Sequence, residues 1–360
     1  MVDVLGRLRT LCWSVVAVAM FVACADVSSR LGADQVVLEK RVENLKTTSP
    51  ENQKPLVIYS GRSESLVAPI IEDFQLLTGI EVQTKYGKTG ELAATLLEEG
   101  DLTAVDIWFA QDPGGLGALN EMLSVLPEEI IGFVPHWARD PEKKWVGTSG
   151  RACVIVYNTD KLSETDLPDS IEDFAKPEWK GRIGWPPTNS SLHAMVTGMR
   201  MYWGEQRTRA WLEGIMANEP KVYAKNTPTV AAVAAGEIEV GFVNHYYLHR
   251  FIEEYGESFA ARNYYTRAAD PGSLILVAGV GVLEQSDNKD AAEQFIYFLL
   301  GPTGQQYFAS QTHEFPLNEL AKPNSLLPAL EEITRPDIDI GDLSDIAGTQ
   351  ILLLDVGALP

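Results

Sequence analysis

Leu56-Val57-Ile58-Tyr59-Ser60-Gly61 opens the stretch that decides the fold. A short apolar run stopped by Ser-Gly reads as a buried strand. Val67, Ile70, Ile71, Phe74 and Leu77 then recur at helical spacing, and Thr78-Gly79 stops them. Ile80-Glu81-Val82-Gln83-Thr84-Lys85-Tyr86 alternates as a half-buried strand. Leu92 to Leu97 is helical, and Val105-Asp106-Ile107-Trp108-Phe109 is strand again. This order is the βαβαβ pattern of a parallel, doubly wound sheet.

Working outward, a second such unit follows. Strands are expected at Cys153 to Tyr157, Gly181-Arg182-Ile183-Gly184-Trp185, Glu239 to Val243 and Leu274 to Val282. Helices are expected at Leu192 to Trp203, Thr229 to Ala235 and Ala291 to Leu300. Two α/β units with ligand loops at their strand ends imply two lobes and a cleft between them. The 360 residues suffice for two cores. We expect lobe 1 at 55–150 and 277–318, and lobe 2 at 151–276 and 319–360.

The N-terminus reads as an export signal over 1–24. Arg7 and Arg9 precede an apolar run from Leu11 to Ala23, too short for the roughly 20 residues a membrane span needs. Its end, Phe21-Val22-Ala23-Cys24, resembles a bacterial lipoprotein box, which makes Cys24 the lipidated residue; ordinary cleavage near Ala23 or Ala25 is the other reading. Residues 25–54 are polar, lack aromatics and read as a tether. The expected location is therefore periplasmic or cell-surface, the membrane being reached through the lipid anchor only.

The formal net charge of −21 opposes phosphate-backbone binding, so nucleic acid is excluded as a partner. The folded body keeps only Cys153 of three cysteines, which leaves no internal disulfide. No nucleophile elbow, His-Glu-x-x-His or Gly-x-Gly-x-x-Gly is present, and Gly87-Lys88-Thr89 lacks the glycine a P-loop requires five residues earlier, where Val82 stands. For catalysis the chain offers little.

The most unusual constellation is Asn244-His245-Tyr246-Tyr247-Leu248-His249, directly after an apolar strand. Adjacent tyrosines reach one ligand only if the backbone leaves strand geometry, as at a turn or helix start. Phenolates are hard anionic donors suited to a hard trivalent cation such as Fe(III). Ionising each at pH ~7 against a pKa of about 10 costs roughly 4 kcal/mol, so only a strongly charged metal favours it. Taken alone, the pair reads more readily as simple packing, as aromatic pairs usually do. His245 and His249 at i, i+4 have a spacing that grips zinc on a helix. Pro187-Thr188-Asn189-Ser190-Ser191 before a helix offers hydroxyls, an amide and free N–H groups to an anion, or is an ordinary cap; Asn226-Thr227-Pro228 opens another helix in the same way.

From about Pro55 to Asn318 the chain resembles the periplasmic ferric-iron-binding proteins that feed ATP-driven importers. Eight segments carry the resemblance in order. They are Ile58-Tyr59-Ser60-Gly61-Arg62, Trp145 to Arg151, Val156-Tyr157-Asn158-Thr159, Trp179 to Gly184, Tyr223-Ala224-Lys225-Asn226, Asn244-His245-Tyr246-Tyr247, Asp270-Pro271-Gly272 and Phe315-Pro316-Leu317-Asn318. The resemblance implies a type II-like periplasmic-binding fold closing on Fe(3+), with Tyr246 and Tyr247 as metal ligands from the second lobe. It implies phosphate or carbonate as a synergistic anion, held by Asn189, Ser190 and Ser191 with Asn226 and Asn244 as further donors and Arg151 near the hinge. Family members often place a His or Tyr after the first strand and a Glu after the third; here Ser63 and Glu64, and Gln111, stand there. Glu64 is thus the first-lobe metal candidate, with Gln111 beside it, and a third tyrosine used by some members is missing.

The resulting expectation is a monomeric solute-binding protein that captures ferric iron and delivers it to an ABC permease. Its rivals are a same-fold binder of an organic or phosphorylated anion and, with less support, a zinc-dependent hydrolase using His245 and His249.

Overall fold

In the computed structural model, residues 54–359 are described. The signal, Cys24 and the tether up to residue 53 lie outside the described residues. β1 (Leu56–Ser60) and β2 (Val82–Tyr86) pair in parallel, joined by α1 (Glu64–Thr78). α1 buries Leu66, Val67, Ile70, Ile71 and Phe74, the stripe its spacing demands. It ends at Gly79, φ +76°, whose N–H caps Gln75 O in the left-handed conformation glycine adopts without strain. α2 (Thr89–Glu99) leads back to β3 (Ile107–Ala110), which lies parallel to β1 on its other side.

The next neighbour departs from the all-parallel expectation. β9 (Ile275–Val282) runs antiparallel to β3 and to β4 (Val146–Asn158). A strand buried on both faces reads as a continuous apolar run whichever way it points, so direction was not encoded in its pattern. β4 is thirteen residues long and buried throughout; it pairs with β9 through Ala152 and with β7 (Val240–Asn244) from Cys153 onward. The path of the sheet is β2-β1-β3-β9-β4-β7-β5-β6, with β5 (Ile183–Trp185) and β6 (Lys221–Val222) parallel, and β8 (Ala261–Tyr264) pairing with β4 off that path. Gly150 faces Val277 and Arg151 faces Leu276 across the two long strands. The two lobe boundaries expected from sequence therefore meet at one point of the sheet.

Gly147 and Gly279 are register partners at an irregularity of β4. A Cβ on Gly279 would stand 2.7 Å from Val146 O, so a side chain there would force the two crossing strands apart.

Helices α3 (Pro113–Gly117), α4 (Ser190–Trp203), α5 (Glu205–Ala217), α6 (Asn226–Ala234), α7 (Tyr246–Tyr255), α8 (Lys289–Leu300), α9 (Pro302–Gln311) and α10 (Ile346–Asp355) cover the sheet. α10 packs on α4, while Ile346 and Ser344 lie against Gly114 and Gly117 of α3. The end of the chain thus touches both halves. Cys153 is buried and free. Among the described residues no helix is long and apolar enough to cross a membrane.

Candidate metal centre

The tyrosine pair sits where strand turns directly into helix. β7 ends at Asn244, His245 already has helical backbone angles (φ −57°, ψ −40°), and Tyr246 begins α7. Strand geometry would send the two rings to opposite faces; the helix start puts them side by side. The rings stack with centroids 4.3 Å apart and 28° between planes. Tyr246 is fully buried, and its hydroxyl has no hydrogen-bond partner outside the tyrosine pair. Tyr247 is held above the ordinary phenol range by burial first and then by Tyr246, while Asn226 and Arg151 act in the opposite sense.

His245 pins this junction. Its Nδ1 accepts from Ala152 N–H at 3.1 Å, which leaves Nε2 to carry the proton donated to His313 O at 2.7 Å. Asn263 Nδ2 donates to His245 O at 2.8 Å. Burial pushes the His245 imidazole down to about 3. With both nitrogens spent, His245 is unavailable to a metal, and the zinc pair His245/His249 is corrected to a structural role for His245. Among the described residues no group of three or more His, Cys, Asp or Glu is placed to hold a metal.

Two guanidinium groups lie beside the pair. Arg62, directly after β1, is fully buried; its Nη2 donates to Glu314 Oε2 at 2.7 Å and its Nη1 to Gln111 Oε1 at 3.5 Å. Burial opposes the Arg62 charge, but Glu314 and then the two phenol sites outweigh it and raise the group above its ordinary value. Glu314 Oε2 also accepts from Ser149 and Thr312, at 3.1 and 2.9 Å. Arg151, fully buried on β4, donates to Ser191 Oγ at 3.2 Å and to Gln111 O, and its Nε has no partner.

Opposite, Asn189 caps α4 by accepting from Ser191 N–H at 2.9 Å. Asn244 Nδ2 donates to Ser191 Oγ at 3.0 Å. Asn226 Nδ2 is buried without a partner. Ser190 lies near Asp112, whose carboxyl caps α3 through Gly115 N–H and is pushed up by burial. The structure therefore brings Tyr246, Tyr247, Gln111, Arg151, Ser191, Asn226 and Asn244 into one constellation, with Asn189 and Ser190 at its rim. It does not bring Glu64 there. Glu64 is exposed on the first turn of α1, and its field falls on Tyr86.

Arg62, Glu314 and Asp112 are site residues that sequence reasoning passed over. Asp112-Pro113 carried a signal, an acidic cap followed by proline at the first helical position. Arg62 and Glu314 carried none, being 252 residues apart. The Arg151 guanidinium favours the ionised form of Tyr247, against the burial that disfavours it, and offers positive charge to an anion. An acidic oxygen pair and orphaned N–H donors together suit a hard cation accompanied by an anion.

Comparison with known proteins follows this geometry. Residues 114–344 match the family described as bacterial extracellular solute-binding protein. The major ferric iron-binding protein of Neisseria meningitidis serogroup A is 33% identical over 310 residues, covering 84% of this chain and 92% of its own. The crystal structure of iron-bound HitA from Pseudomonas aeruginosa superposes with a TM-score of 0.80 at 30% identity, over 84% of this chain and 99% of that one. A Trichodesmium protein (IdiA, FutA) in complex with iron and citrate superposes with a TM-score of 0.75 at 25% identity, over 84% and 99%.

Proposed function

This chain belongs to the bacterial extracellular solute-binding protein family, and from that premise we propose that it captures ferric iron at Tyr246 and Tyr247 and delivers it to the permease of an ABC importer. The observation that carries the proposal is Tyr246, its hydroxyl buried without a partner outside the pair and its ring stacked against Tyr247. A buried orphan hydroxyl costs free energy that a bound cation would recover. Relatives named for ferric iron binding support the choice of metal.

The proposed anion, phosphate or carbonate, is held by Arg151, Ser191, Asn226 and Asn244, with Asn189 and Ser190 at the start of α4. The unpartnered Arg151 Nε and Asn226 Nδ2 support it, as does a relative holding citrate with its iron. Gln111 is the neutral first-lobe oxygen donor, held beside Arg62 at 3.5 Å. Glu64 reaches iron only if the first turn of α1 moves toward the tyrosines. The lobes, 55–150 with 277–318 and 151–276 with 319–360, close around the β4–β9 crossing, and the closed form is what the permease reads. Release follows reduction, anion loss or phenolate protonation, since protons compete with metal. We place the protein outside the cytoplasm as a monomer, its signal removed and Cys24 lipidated, with 25–54 as the tether.

The test is metal analysis after loading with ferric citrate and desalting. One iron per chain is expected, against less than about a tenth as much in Tyr246→Phe/Tyr247→Phe of unchanged circular dichroism. Full retention in the double variant would remove iron from this site. No iron in the native protein, with tight binding of a phosphorylated anion, would establish the rival reading.

A further inference from the structure

A second cavity, of about 210 Å³, lies away from the tyrosines, against the start of β9. Leu274, Ile275 and Ile338 give it apolar walls, and Trp137 gives it an aromatic one. Its two charged groups are the half-buried Arg335 and the solvent-exposed Asp337 at its edge. The guanidinium of Arg335 lies flat enough on Trp137 for a 4.5 Å approach to the ring centroid. Among the described residues it has no hydrogen-bond or ion-pair partner, and neither has Asp337. The carboxylates of Glu331 and Asp337 act on Arg335 only through space, and burial pulls the guanidinium below its ordinary range. An arginine held by a ring face keeps its N–H edge free for a planar anion.

One free guanidinium, one free carboxylate and an apolar wall in the same small cavity are the complement of a zwitterion. We propose that this cavity binds a free α-amino acid with an apolar side chain. Its carboxylate meets the N–H fork of Arg335, its ammonium meets Asp337, and its side chain packs on Trp137, Leu274, Ile275 and Ile338. The volume lies below the 300 Å³ or so at which sites for drug-sized ligands begin, which restricts the occupant to small metabolites. A simple anion would leave Asp337 facing it, and a simple cation would face Arg335. Ile275 is the register partner of Ala152, whose N–H holds His245. The cavity wall is thus one strand removed from the tyrosine junction.

Calorimetric titration of L-leucine into the purified protein tests this independently of iron. Saturable binding at one site is expected, weaker by about tenfold or more in Arg335→Met and in Asp337→Asn, because each loses one charged hydrogen-bonding partner. 4-Methylpentanoate, which lacks the ammonium, and isopentylamine, which lacks the carboxylate, should each bind more weakly than leucine. Unchanged iron loading in both variants verifies that they are folded. No heat with leucine, methionine or phenylalanine overturns the proposal, as does equal affinity in both variants. 4-Methylpentanoate binding as tightly as leucine overturns the zwitterion assignment.

Discussion

Replacing Tyr246 with Phe should make the iron-free protein more stable while weakening its hold on iron. The Tyr246 side chain is fully buried and its hydroxyl has no partner outside the tyrosine pair. A hydroxyl buried in that state costs about 1–3 kcal/mol relative to one that is bonded. Phe keeps the ring and its 4.3 Å stack on Tyr247 and removes only the oxygen. The small void left behind costs a fraction of what is recovered. The expected net gain is about 1 kcal/mol. With a urea m-value of about 3 kcal/mol per M, the unfolding midpoint of the iron-free protein rises by roughly 0.3 M. Tryptophan fluorescence follows the transition, since Trp108, Trp145, Trp185 and Trp211 are all buried. Iron affinity measured against citrate should fall by at least about tenfold, because one of two phenolates is gone. An iron-free variant less stable than the parent by 1 kcal/mol or more would mean that the hydroxyl is satisfied, and the orphan argument would fail.

Three further outcomes are expected. The Arg62–Glu314 pair, 2.7 Å apart and fully buried, should show coupling in a double-mutant cycle of Arg62→Met and Glu314→Gln. Each single change costs about 3 kcal/mol or more and the double far less than their sum, whereas additive costs would show the charges to be independent. Acidification should destabilise the protein below the ordinary histidine range. His245 and His249 are pushed by burial down to about 3 and about 4, so from about pH 6.5 downward the unfolded chain takes up protons that the folded one refuses. At pH 5 this costs about 2 kcal/mol for each imidazole. His249→Gln should remove about half of that pH slope in urea titrations, and an unaltered slope would place the acid sensitivity elsewhere. Gly61→Ala should distort the cleft wall, since its Cβ would stand 2.3 Å from Thr89 Oγ1 and 3.1 Å from the Thr89 backbone; wild-type stability and iron loading in that variant would show that Thr89 yields freely.

The local rules that sequence obeys explain what could be read from it. α1 and α8 carry apolar stripes at helical spacing and formed where those stripes run. β4 was legible only from Cys153 to Tyr157, because Gly147, Thr148, Ser149, Gly150 and Arg151 lack the apolar run expected of a strand. They are strand because β9 pairs with them and Glu314, Gln305 and Phe315 satisfy their polar groups. α5, whose sequence begins Glu205-Gln206-Arg207, has a weak apolar pattern and took shape through Trp211 and Leu212 packing into the core. At the site, the tyrosine doublet was visible as a local anomaly. Arg151 was named through the family resemblance, whereas Arg62 and Glu314 were not, because that pair meets only through the topology. Glu64 stands near the expected place in sequence and lies exposed on the first turn of α1.

The most direct test of the central claim is a visible absorption titration of the purified protein with ferric citrate, run beside Tyr246→Phe/Tyr247→Phe. A broad charge-transfer band that saturates at one iron per chain and is absent from the variant is the predicted result, since only a tyrosinate bound to Fe(III) produces it at this site. Absence of the band at every iron concentration, or a band of equal strength in the variant, would contradict iron capture by Tyr246 and Tyr247.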